Sequence, residues 1–170
     1  MSARSTTLGL AAAAACVALA APLPASAAPA GSPGMDQSAK GALVDVCGRD
    51  RCANLAAQGP ATGYPFKQAD ARLTVNSTTG VRPAAGQCVK VVVYVSFQQG
   101  SDTFRGDGTG KLCASAEGIL SVSSRYSGDG IVGDYPWSLG SGSGTVTATI
   151  GNDGTASWRT VGSYSLTPVK

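Results

Sequence analysis

Four cysteines, Cys47, Cys52, Cys88 and Cys113, carry the clearest chemistry in this chain. A fifth, Cys16, lies in a leader: Arg4 is followed by an apolar run from Leu8 to Ala21 and by the small-residue cleavage pattern Ala25-Ser26-Ala27. That is the layout of a secretory signal peptide over residues 1–27, so the mature protein is expected to start at Ala28, outside the cell, where disulfides persist. Ser5, Thr6, Pro22 and Pro24 keep the apolar run short of the roughly 18 residues a membrane span needs, so no membrane anchor is expected. Cys47 and Cys52 bracket a tight loop, and Cys88 and Cys113 are symmetric about Gly100–Ser101, where a hairpin would turn. The spacing therefore favours Cys47–Cys52 and Cys88–Cys113 among the three possible pairings. A zinc site is the competing chemistry, but the spacing is loose, two cysteines are isolated, and the chain has no histidine. We expect neither metal nor cofactor.

The same lack of histidine removes the usual general base for a Ser or Cys nucleophile. A serine–lysine pair would have to draw on Lys40, Lys67, Lys90, Lys111 or Lys170, and nothing in the sequence sets one beside a serine. A glycosidase pair would come from Glu117 and nine aspartates, of which Asp102, Asp107, Asp129 and Asp134 are candidates to converge, although turn roles account for them. No catalytic residue is assigned, and the protein is read as a non-enzyme. Arg105-Gly106-Asp107 spells an integrin-binding tripeptide within a Gly/Asp-rich stretch that produces it by composition. The whole chain carries a net charge of +3 with no basic run, which argues against nucleic acid as a partner.

The elements that must position these residues are strands. Val89, Val91, Val93, Val95 and Phe97 share one face of a run from Cys88, the pattern of a central strand; Ala71, Leu73 and Val75 mark another. Asn152-Asp153-Gly154 suits a hairpin loop that sets Ile150 opposite Ala156, Ala148 opposite Trp158 and Val146 opposite Thr160. This places Trp158 in the core. A last strand is expected near residues 162–168. Residues 98–110 read as a loop or distorted hairpin. Residues 41–59 are ambiguous between a strand and one or two helical turns over Cys52–Gln58, and residues 59–66 read as turn chemistry. Six to eight strands with frequent glycines predict an all-β fold, a small disulfide-stapled β-sandwich or barrel. Residues 28–40, rich in Ala, Gly, Ser and Pro, read as a flexible N-terminal arm before a single domain at 41–170.

For binding, Tyr135, Pro136 and Trp137 sit in a glycine-bracketed stretch typical of an exposed loop, the alternative being that Trp137 plugs one end of the domain. Arg49 and Arg51, held between Cys47 and Cys52, would suit a protease specificity pocket, against the plainer reading of a solvated turn. These features predict a secreted, non-catalytic protein–protein adaptor. An inhibitor of a protease or glycosidase stands second, and a carbohydrate-binding module third.

The leader AAAAACVALAAPLPASA, the Ala/Gly/Arg-rich composition and the four-cysteine β domain resemble small exported proteins of Streptomyces-type actinobacteria. The layout is similar to that of the adaptor subunit of umbrella toxin particles. That resemblance implies joining a repeat-bearing toxin chain to lectin subunits, with an N-terminal segment such as residues 28–45 inserting into the partner. It carries no residue roles over. Tendamistat-like amylase inhibitors share the two-disulfide β layout but use a Trp-Arg-Tyr triplet, and here Trp158-Arg159 continues with Thr160.

Overall fold

A computed structural model describes residues 34–46, 54–131 and 137–168. Eight strands follow in chain order: β1 (Gly34–Val46), β2 (Asn54–Tyr64), β3 (Ala69–Ser77), β4 (Cys88–Gln99), β5 (Asp102–Ala114), β6 (Leu120–Ile131), β7 (Trp137–Ile150) and β8 (Thr155–Pro168). Each pairs antiparallel with the next, and β8 pairs antiparallel with β1, so the sheet closes into an up-and-down barrel with no free edge. The period-two patterns set the register. Val91, Val93, Val95 and Phe97 are all buried, and the C-terminal hairpin pairs Ile150 with Ala156, Ala148 with Trp158 and Val146 with Thr160, as its alternation requires. Gly154 takes the left-handed φ of 79° that the hairpin loop calls for.

Some expectations are corrected and others, left open by the sequence, are resolved. The arm predicted over residues 28–40 gives way at Gly34 to β1, so the domain begins before residue 41; residues 28–33 lie outside the described residues. Met35, Gln37 and Ala39 face inward there, one apolar, one polar and one small side chain in a stretch whose composition otherwise reads as linker. Because β1 is hydrogen-bonded to both β2 and β8, residues 34–45 are part of this barrel rather than a free segment for a partner. Of the two readings open for residues 41–59, described residues 54–58 take the strand, and β2 runs on through Gly59-Pro60 to Tyr64 where turn chemistry was expected, because Leu55, Ala57 and Ala61 alternate inward. Finally, of the loop or distorted hairpin expected at 98–110 the hairpin forms: a turn at Gly100–Ser101 is followed by the regular strand β5.

Glycines explain that last difference. Gly106, Gly108 and Gly110 occupy inward positions of β5 where neighbouring chain comes too close for a side chain. A Cβ on Gly108 would run into the Arg125 carbonyl oxygen, and one on Gly106 would lie 3.0 Å from Tyr126 Cδ2. Tyr126 lies across glycines of three strands, also within 2.9 Å of a Cβ built on Gly144. Such bare positions let a small barrel bend tightly while one aromatic ring fills the space.

The interior is filled. Phe66, from the short β2–β3 connection, turns back into the barrel and is 1% exposed. Its ring stacks on Phe97 at 5.9 Å, Phe97 meets Phe104 at 6.3 Å, and Phe104 meets Tyr126 edge-on at 5.8 Å. The Phe66 carbonyl accepts a 2.9 Å hydrogen bond from Gln37 Nε2. The outward residues of β6 and β7 are instead Ser121, Ser123, Arg125, Thr147 and Thr149, all exposed. This is the reverse of a membrane-spanning barrel, whose strands turn apolar residues outward.

Candidate functional site

Antiparallel order fixes which segments share an end of the barrel. β1 ends and β2 begins at the end that also carries the 78–87, 115–119 and 151–154 connections. β6 ends and β7 begins at the opposite end, where β1 starts and β8 finishes. The strand ends that flank the two partner-binding segments expected from sequence therefore lie at opposite ends of the barrel. Cys47, Arg49, Arg51 and Cys52 lie outside the described residues, as do Tyr135 and Pro136. Trp137 opens β7 in register with Pro168; its side chain is outside the described set.

Cys88 and Cys113 are placed as expected. They are direct partners in the β4–β5 ladder and are joined by a disulfide with Cα atoms 4.0 Å apart. Both point outward, since Leu112 and Val91 take the alternate, inward positions. The bridge removes these two cysteines as metal ligands. Among the described residues no cluster of three or more Cys, Asp or Glu side chains is arranged to hold a metal ion.

Exposed apolar and charged side chains meet on the outer wall. Five large apolar side chains are exposed among the described residues: Val44, Val81 and Ile119 near one end, Tyr64 at the other, and Tyr94, 48% exposed, halfway along β4. Tyr94 stands in an open groove of about 400 Å³ across β3, β4, β5 and β6. Register builds it. One row across the strands reads Arg72, Ser96, Arg105, Asp129, and the next reads Thr74, Tyr94, Asp107. Ser96 is short, so it leaves a dip between the two arginines, while inward-facing Gly106 and Gly128 leave bare backbone in the floor.

These charges are free to meet a ligand. Among the described residues the ion pair formed is Asp36–Arg159, elsewhere on the wall, with Nε–Oδ1 and Nη2–Oδ2 distances of 2.8 and 2.7 Å. Its two-pronged hydrogen bond holds the Asp36 carboxyl below the usual aspartate range. Arg72, Arg105, Asp107 and Asp129 have no such partner.

Sequence reasoning named Asp107 and Asp129 as candidates to converge. They do, as diagonal neighbours on β5 and β6, whereas Asp102 sits at the hairpin end of β5 and Asp134 lies outside the described residues. Both Asp107 and Asp129 are exposed on the wall. Sequence reasoning missed Arg72 and Tyr94. The one signal for Tyr94 was its position opposite the valines of β4, an aromatic on the polar side of a central strand. The Arg105-Gly106-Asp107 tripeptide lies flat in β5 with both charges in the groove, not at a loop tip. Compared with known proteins, the chain matches no family, no curated protein and no solved structure.

Proposed function

We propose that this is an extracellular, non-catalytic binding protein, an adaptor that joins protein partners in a secreted complex such as an antibacterial toxin particle. The leader, with its expected cleavage after Ala27, and the Cys88–Cys113 bridge support export. The aromatic-filled interior turns the search for a binding surface to the outside of the barrel. The observation that carries the reading is the groove around Tyr94: an exposed aromatic with two unpaired arginines and two unpaired aspartates on a rigid sheet. Tyrosine and arginine are the side chains that most often dominate protein–protein affinity, since each combines a large contact area with directional hydrogen bonds.

The test is recovery of partners from the producing organism's culture medium by tagged mature protein, alongside Tyr94→Ala and Arg105→Ala. Stoichiometric capture of other secreted chains, reduced about 30-fold or more in apparent affinity by Tyr94→Ala at unchanged thermal stability, is the expected result. Capture of a single hydrolase, indifferent to both substitutions, would replace the adaptor reading with that of an inhibitor acting elsewhere on the chain.

A further inference from the structure

Inside the barrel, three buried polar atoms have no hydrogen-bond partner among the described residues: Gln37 Oε1, Trp158 Nε1 and Thr160 Oγ1. Gln37 and Thr160 are fully buried and Trp158 is 3% exposed. They are neighbours by register, since Gln37 on β1 pairs with Thr160 on β8, and Trp158 precedes Thr160 by two residues on the same inward face. Other polar groups in this part of the interior are bonded. Ser124 Oγ donates to the Arg125 carbonyl, and the Tyr126 hydroxyl reaches Met35 Sδ. The Gln37 amide is oriented by the bond its Nε2 donates to the Phe66 carbonyl, which commits Oε1 to the other side as an acceptor.

The chemistry of the three is complementary to one molecule. An indole N–H only donates, an amide oxygen only accepts, and a hydroxyl does either. The register neighbours of Trp158 on both sides are small, Ala39 on β1 and Ala148 on β7. We infer that this layer holds a buried water that accepts from Trp158 Nε1 and donates to Gln37 Oε1 and Thr160 Oγ1. Three hydrogen bonds are typical of a buried water, and orphaned polar groups are where such waters are found. The water ties β1 to β8 across the closing seam of the barrel, where β1 buries Met35, Gln37 and Ala39 and packs a half-buried Leu43 against the core.

Two measurements on the mature protein test this. A high-resolution crystal structure is expected to show an ordered water at roughly 2.7–3.2 Å from at least two of the three atoms. A dry layer, or a Thr160 hydroxyl bonded straight to Gln37, would overturn the assignment. Thr160→Val keeps the shape and removes the hydroxyl, so the sign of its effect decides independently. If water bridges the hydroxyl, the midpoint of thermal unfolding falls by about 3–5 °C. If the hydroxyl is bare, valine removes an orphaned polar group, and a raised midpoint would sink the proposal.

Discussion

Replacing Cys88 and Cys113 together by serine removes a covalent tie between residues 25 apart in sequence while leaving the ladder around them intact. The tie acts mainly on the unfolded chain. For a loop of this length, closure entropy amounts to roughly 12 cal/mol/K, or about 3.5 kcal/mol at 25 °C. The native side changes little, because β4 and β5 pair along their whole length, and the 78–87 connection keeps its own bonds, Gly86 N–H to Ala114 O at 2.8 Å and Ala114 N–H to Gln87 O at 2.9 Å. With an unfolding entropy near 2.1 cal/mol/K per residue, that loss lowers the thermal midpoint by roughly 10–13 °C. The assay is thermal and guanidinium unfolding of the double serine variant and of wild type, followed by far-UV circular dichroism and by tryptophan fluorescence. The expected result is a β spectrum unchanged at low temperature with a transition shifted down. An unshifted transition would refute the loop-entropy argument. Loss of the β spectrum at low temperature would refute the claim that ladder and core hold the barrel without the bridge.

Three further outcomes follow from the same structure. Gly108→Ala drives a methyl into the Arg125 carbonyl and is expected to cost about 3 kcal/mol or more, whereas Gly80→Ala, at φ +69° with open space around it, costs only about 1 kcal/mol; denaturant midpoints check both. Asp36→Asn removes the pair with Arg159, whose groups are both more than half exposed, so the loss is small. Because Arg159 lowers the folded-state pKa of Asp36 beneath 3.8, wild type is the more stable above that pH, and its advantage disappears as pH falls through the lowered value; unfolding titrations from pH 7 to pH 2 check the sign. With Cys88 and Cys113 joined to each other, non-reducing peptide mapping of the mature protein is expected to recover Cys47 linked to Cys52 and no free thiol.

Where apolar and polar residues alternate strongly, the sequence was enough to place strands in register. The valines of β4 and the Ile150, Ala148 and Val146 series of β7 announce which face is buried, and the symmetry of Cys88 and Cys113 locates a turn that the ladder confirms at Gly100–Ser101. β1 and β2 hid for the opposite reason. Their inward positions include Met35, Gln37, Ala39, Leu55, Ala57 and Ala61, where polar and small side chains interrupt the apolar ones and blur the hydrophobic period. β5 hid because glycine marks a turn and a close approach with the same letter; Gly106, Gly108 and Gly110 serve the second purpose. The groove was legible only in fragments. Arg72 and Tyr94 lie far apart in sequence, and it is the β3–β4 and β4–β5 registers that set them on adjacent rows with Arg105 and Asp107.

The packing also bears on where a ligand is to be sought. Many eight-stranded barrels bind inside, and this one closes that route with side chains: a molecule entering past the β2–β3 connection would have to expel Phe66, break its carbonyl bond to Gln37 and unstack Phe97. Burying a phenyl ring of this kind contributes about 3–5 kcal/mol, a cost that an incoming ligand would have to overcome before gaining any contact of its own. The outer wall asks for no such rearrangement. Tyr94, Arg72 and Arg105 project from strands already fixed on both sides by their neighbours, so under the proposed function a partner would meet a surface whose backbone order is in place before contact. On that ground the groove, and not the barrel interior, is where substitutions should weaken binding while leaving the fold unchanged.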